Sequence, residues 1–309
     1  MVASSSAGRR PPTRPKLEKV QPPGTFHTVA GLRTHVVVDG DGPPLVFLAA
    51  LGGNWFDFDQ VTEILRDRYT VIRYDRPGYG LSDALPSGQI PSIAAEVERI
   101  DQILDVLGIT EPVVLAGHSL ASLYVEGYAR SRPDRVAGVI VLDGSYVMLP
   151  LQLVPPGWSN RLAHLAARFI KALRLPRSAG IMGHAVATSP GPPGGFTAAQ
   201  RYWISEVFNG TRFPRAFLVE QAAFGVLNSQ LVALRRTQPL TAPIEVVSAL
   251  PGRRTPVRLF WNWKQGRYAR FLGAHYTPLA PARHFFIVQQ PDVAARVIDD
   301  FADGATVRG

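Results

Sequence analysis

The sequence predicts an α/β fold, a mostly parallel central sheet with helices on both faces, carrying one helical insertion. Three observations predict it. Leu45-Val46-Phe47-Leu48-Ala49 and Val136–Leu142 are continuously apolar, the mark of strands buried on both faces rather than one. Such strands alternate with amphipathic stretches, notably 93–107, where Ile93, Val97, Ile100, Ile103, Leu104 and Leu107 recur at helical spacing. Segment 146–239 breaks the alternation: it is interrupted by Pro190, Pro192, Pro193, Gly194 and Gly195 and reads as helical at 161–173 and 198–208.

In chain order, residues 1–23 are rich in Ser, Pro and Arg without apolar periodicity, and are expected to be a disordered basic tail. Residues 28–38 give two short strands around Gly31, and 40–44 is a loop. A strand follows at 45–49, a helix from Val61, and a strand at 69–74. Asp75-Arg76-Pro77-Gly78-Tyr79-Gly80 is a tight turn; it has neither the lysine nor the glycine spacing of a phosphate-binding loop. The strand at 113–116 precedes a helix over 119–132, and further strands are expected at 136–142 and 243–249. The rest is expected to be an irregular stretch, a strand at 285–288 and an amphipathic helix at 291–301. The domain reading is therefore a core of 24–145 and 240–309 with the insertion at 146–239.

Composition narrows the chemistry. The 309 residues contain no cysteine, which removes disulfides, thiolate zinc sites and cysteine nucleophiles, and fits a reducing, cytoplasmic location. No run of 18 apolar residues occurs and no apolar stretch follows the first arginines, so neither a membrane span nor a secretory leader is expected. The net charge of +9 is unevenly placed: 146–239 carries ten Arg/Lys against Glu206 and Glu220, whereas 23–145 carries nine basic and sixteen acidic residues. A basic layer over a mildly acidic body favours a small acidic or amphiphilic substrate. No zinc-finger, aromatic RNA-binding or basic-helix pattern points to nucleic acid, and oligomeric state is not legible.

The chemical signal is Val113-Val114-Leu115-Ala116-Gly117-His118-Ser119-Leu120-Ala121. An apolar strand ends in a tight turn with one serine at its apex, and a helix begins at once. That elbow lifts a hydroxyl clear of the backbone and sets it against free N–H groups at a helix start. A serine so placed needs a base within about 2.6–3.2 Å. Of seven histidines, His27, His35, His164 and His184 read as surface or packing residues. His118 sits in the turn, directed away from the serine. His284 lies in a loop where a side chain projects over the strand ends; His275 is its rival.

These stretches, with Asp75-Arg76-Pro77-Gly78-Tyr79-Gly80-Leu81-Ser82-Asp83 and His284-Phe285-Phe286 leading to Gln290-Pro291-Asp292, resemble the α/β-hydrolase family, in particular its capped esterase-like members. The resemblance covers about 25–145 and 240–303. It implies the α/β-hydrolase fold, a serine nucleophile at Ser119, a base at His284, a helical cap over 146–239, and no cofactor or metal.

The acid departs from the family's usual pattern. Most members place it after the next-to-last strand, yet 250–283 contains no Asp or Glu. Asp143, closing the strand at 136–142, is the candidate to orient His284; Glu245 is a weaker alternative. For the oxyanion, Leu120 N–H is one backbone donor. Relatives usually carry His-Gly before the other; here Ala49-Ala50 stand there, and Leu51 is the matching donor. Each donor of this kind is worth about 2.7–4 kcal/mol. Gly52, Trp55 and His118 are candidate pocket residues. The expected activity is cleavage of a carboxylic ester by acyl transfer. Carbon–carbon bond hydrolysis, cofactor-free perhydrolysis, or ligand binding without catalysis are the alternatives.

Overall fold

The computed structural model describes residues 20–145, 156–172 and 178–306. The expected disordered tail lies outside the described residues as far as position 19; Val20 to Pro23 are placed, and the Pro23 carbonyl accepts the Nε2–H of His35 at 2.7 Å. Eight strands form one sheet: β1 (Thr25–Val29), β2 (Leu32–Asp39), β3 (Pro44–Leu48), β4 (Thr70–Tyr74), β5 (Val113–His118), β6 (Val136–Leu142), β7 (Ile244–Ala249) and β8 (His275–Leu279). Their order is β1-β2-β4-β3-β5-β6-β7-β8, antiparallel only at β1·β2 and β2·β4.

The continuous apolar runs follow from burial on both faces. In β3, Val46 and Leu48 face one core while Leu45 and Phe47 face the other; in β5, Val113 and Leu115 oppose Val114 and Ala116. The first core is completed by α2 (Ile93–Val106) and α3 (Ser122–Ser131). The second is completed by α1 (Asp59–Leu65) and the C-terminal helix at Pro291–Thr306. Ser92 caps α2, its side chain accepting the N–H of Ala95 at 3.1 Å.

Among the described residues four helices separate β6 from β7: α4 (Pro156–Ala172), α5 (Ala179–Thr188), α6 (Ala198–Phe208) and α7 (Arg212–Thr237). The insertion is helical where expected, and α5 and α7 add to the two stretches read from sequence. Thr197 and Gln200 form a reciprocal cap on α6, which fixes its start. By length and composition α7 would suffice to cross a membrane. In the structure it buries Ala223, Leu227 and Leu231 against the sheet domain and carries a fully paired Glu220.

The C-terminal part corrects the sequence reading twice. The stretch expected to be irregular holds α8 (Pro256–Leu272) and β8. Thr255 accepts the N–H of Arg258, Pro256 opens the helix, and Gly273 closes it at φ 68°. Only Gln265, Tyr268 and Ala269 of α8 are buried, so no apolar stripe marks it. β8 tolerates Pro278 because it is the sheet edge. The expected strand at 285–288 is instead the short helix α9 (Phe286–Gln289), ahead of α10 (Pro291–Thr306). A four-residue apolar run carries no period that separates the two.

Candidate active site

Ser119 stands where β5 gives way to a 3-10 turn, Ser119–Ala121, that runs directly into α3. Its φ of 55° is in the left-handed region, which costs a non-glycine residue about 1–3 kcal/mol. The strain is held by its surroundings: the Ser119 carbonyl accepts from Ser122 Oγ at 2.7 Å and from Ser145 N–H at 3.1 Å. Gly117 is required one turn earlier. A Cβ there would lie 2.7 Å from Val125 Cγ2 and 3.0 Å from the Ala121 carbonyl. Ala121 fills the place of a second small residue and is fully buried.

His284 reaches this serine from the loop between β8 and α9. Its Nε2 is 2.9 Å from Ser119 Oγ, across 165 residues of sequence. Its Nδ1 is 2.6 Å from Asp143 Oδ2. An ionised carboxylate can only accept, so Nδ1 carries the proton and Nε2 presents its lone pair to the hydroxyl. The ring remains accessible, with 43% of the side chain exposed, while Asp143 is 3% exposed. Asp143 ends β6 at φ 46°, and its other oxygen accepts Ala249 N–H at 3.0 Å and Trp261 Nε1–H at 2.9 Å. Glu245 and His275 meet each other at 3.7 Å on the far edge of the sheet and take no part.

The loop after β3 carries Leu51, and Leu120 lies in the 3-10 turn between Ser119 and α3. The first N–H groups of a helix have no partner within it, which leaves that of Leu120 available. The Ala49 and Ala50 carbonyls just before Leu51 both accept from the Arg76 guanidinium, the second at 2.9 Å. Gly52 turns the loop at φ 76°, with Phe213 and Phe217 of α7 against its α-carbon. Arg76 in turn pairs with buried Glu220 of α7, at 3.0 Å and 2.9 Å. The Glu220 carboxylate also accepts Tyr79 and Tyr124 hydroxyls at 2.8 Å and 2.9 Å. Asp75, in the same turn, accepts Trp55 N–H and Leu81 N–H and sits 2.8 Å from His35 Nδ1, a structural turn as expected.

Two of the candidate pocket residues are placed elsewhere. Trp55 is 2% exposed, its ring edge-on to His35, Phe56 and Trp203, so it packs rather than lines the serine site. His118 is fully buried, its Nε2 donating to the His284 carbonyl at 2.8 Å. It supports the histidine loop from beneath. Burial, with the neighbouring His284 ring second, pushes its pKa down to about 3. Trp261, which donates to Asp143, and Arg76, which donates to the carbonyls before Leu51, carry no local sequence signal for those contacts.

Among known proteins, a family model described as the alpha/beta hydrolase fold matches residues 43–194. The chain has the α/β-hydrolase fold. It is similar to the (E)-2-((N-methylformamido)methylene)succinate hydrolase of Acinetobacter baylyi, 34% identical over 112 residues, 36% of this chain and 41% of that protein. It is also similar to epoxide hydrolase 2 of Siraitia grosvenorii, 30% identical over 128 residues, 41% of this chain and 40% of the relative. The chain spans less than half the length of the curated relatives it matches. Among solved structures, Cfl2 from Burkholderia cenocepacia superimposes with a TM-score of 0.68 at 26% identity, covering 90% of this chain and 94% of that one.

Proposed function

We propose that this α/β hydrolase cleaves a carboxylic ester by acyl transfer through Ser119. The observation that carries the reading is one continuous hydrogen-bonded line, Ser119 Oγ to His284 Nε2 at 2.9 Å and His284 Nδ1 to Asp143 Oδ2 at 2.6 Å. His284 takes the hydroxyl proton as Oγ attacks the acyl carbon, and returns it to the leaving alcohol; water then repeats the cycle on the acyl-enzyme. Asp143 fixes the tautomer and offsets the imidazolium charge. Leu51 and Leu120 N–H groups receive the oxyanion. Helices α4 to α7 act as a cap, with Phe213 and Phe217 closing over Gly52.

A serine at the elbow disfavours epoxide opening despite the epoxide hydrolase among the relatives, because that chemistry needs a carboxylate to form the alkyl-enzyme. The succinate-directed relative and the ten basic residues of 146–239 together support an acidic acyl substrate. A panel of p-nitrophenyl esters set against a vinylogous diketone separates ester from carbon–carbon cleavage. Ser119→Ala is expected to abolish ester turnover, and a fluorophosphonate to label Ser119 but not in a His284→Ala background. Ester turnover undiminished by Ser119→Ala would remove the proposal.

A further inference from the structure

A cavity of about 510 Å3 among the described residues contains neither Ser119 nor His284. It lies between the 84–92 loop, the first turns of α2, and helices α4 and α7 of the insertion. That volume suits a small organic ligand. Its wall divides by chemistry. One part is apolar, including Leu85, Ile90, Ile170, Ala216 and Val219; the other holds Arg76, Arg99, Arg212, Arg215, Glu96 and Glu220.

The charges do not cancel. Arg76 pairs with Glu220 at 2.9 Å and Arg99 with Glu96 at 3.3 Å, all four side chains buried. Among the described residues no carboxylate pairs with Arg212 or Arg215. Among the same residues Arg212 donates to the Gly80 carbonyl, and the buried Arg215 Nε–H has no hydrogen-bond partner. A buried donor left in that state costs about 1–3 kcal/mol, and an anionic acceptor in the cavity would satisfy it.

We propose that this cavity is a second binding site, separate from Ser119, for an amphiphilic carboxylate of medium chain length. The carboxylate sits on Arg212 and Arg215, which supply charge-assisted N–H donors. The chain lies along Leu85, Ile170 and Val219. The assignment does not depend on hydrolysis at Ser119.

The test is calorimetric titration of octanoate into the full chain carrying Ser119→Ala, so that binding is read without turnover. Octylamine serves as the charge control. Octanoate is expected to bind saturably and octylamine not to bind. Arg215→Met is expected to weaken octanoate about tenfold or more, the size of one lost charge-assisted hydrogen bond. Val219→Trp, which fills the cavity and keeps both arginines, is expected to abolish binding. Circular dichroism and thermal midpoints establish that each variant is folded. A wild-type chain capped at Ser119 with a fluorophosphonate is expected to bind octanoate unchanged; loss on capping would place the ligand at the serine and overturn the proposal. Equal affinity across a folded Arg215→Met and Val219→Trp, or octylamine binding as well as octanoate, would overturn it too.

Discussion

The indole Nε1 of Trp261 donates to Asp143 Oδ1 at 2.9 Å, on the opposite carboxylate oxygen from the one His284 uses. Ala249 N–H is the second donor to that oxygen. The carboxylate is thus pinned from behind by β7 and α8 while its free oxygen faces the imidazole. Lys264 Nζ lies 4.4 Å over the Trp261 ring, which holds the indole in that pose from the solvent side. Trp261→Phe keeps the ring and removes the donor. A hydrogen bond to a charged group contributes about 1.5–3 kcal/mol, so kcat is expected to fall about tenfold or more with KM nearly unchanged. The rate of fluorophosphonate labelling of Ser119 should fall in step. A drop confined to thermal stability, with labelling intact, would show that the indole does not orient the acid.

His118 carries a pH prediction. Its Nε2–H is spent on the His284 carbonyl and its Nδ1 is buried without a partner, so protonation would bury an unanswered N–H. The folded chain therefore holds this ring neutral, with the pKa down to about 3 against an ordinary 6.5. The sign follows: the unfolded chain takes up the proton first, so stability is complete above about pH 6.5 and declines as pH falls towards 3. The slope from this one group reaches about 1.4 kcal/mol per pH unit. His118→Gln keeps a side-chain N–H for the carbonyl and does not titrate. Guanidinium midpoints between pH 7 and pH 4 should be flatter in that variant than in the parent.

What the sequence revealed follows the physics of burial. β3, β5 and β6 were legible because each consecutive side chain enters one of two cores, leaving an unbroken apolar run. The helix α8 was not, since its three buried residues form no stripe and its cap signals flank an Arg-rich surface. Ser119 stood out from local context, Asp143 from closing β6 where 250–283 offers no acid, and His284 from its loop, although the strand expected after it is the helix α9. Trp261 lies 118 residues from Asp143, to which it donates, and Arg76 lies 144 from Glu220. Pairings of that separation depend on how elements dock, which no local pattern encodes.

Breaking the Arg76–Glu220 pair should test how the inserted helices support the loop after β3 that carries Leu51. Both side chains are 3% exposed. Glu220→Gln leaves a buried guanidinium unpaired, which costs about 3–5 kcal/mol, and the thermal midpoint should fall accordingly. The double variant Arg76→Met/Glu220→Met removes both charges and should recover most of that loss. It should not recover kcat, because the Ala49 and Ala50 carbonyls lose the guanidinium that holds them. Full recovery of both quantities would show that the pair contributes stability alone.

The left-handed backbone of Ser119 sets stability against activity at a single residue. Its φ of 55° places a Cβ against the backbone, a clash worth about 1–2 kcal/mol for any residue but glycine. Ser119→Gly relieves the clash, while the freer unfolded chain takes back about 0.4–1 kcal/mol. The net gain is therefore about 0.5–1 kcal/mol, a rise of roughly 1–3 °C in thermal midpoint for a chain of this size. Ser119→Ala is the matched control. It removes the same hydroxyl but keeps the Cβ, so it should lose activity equally and gain nothing in stability. If glycine and alanine give the same midpoint, the elbow is relaxed as it stands, and the surrounding bonds to the Ser119 carbonyl hold no strain in check.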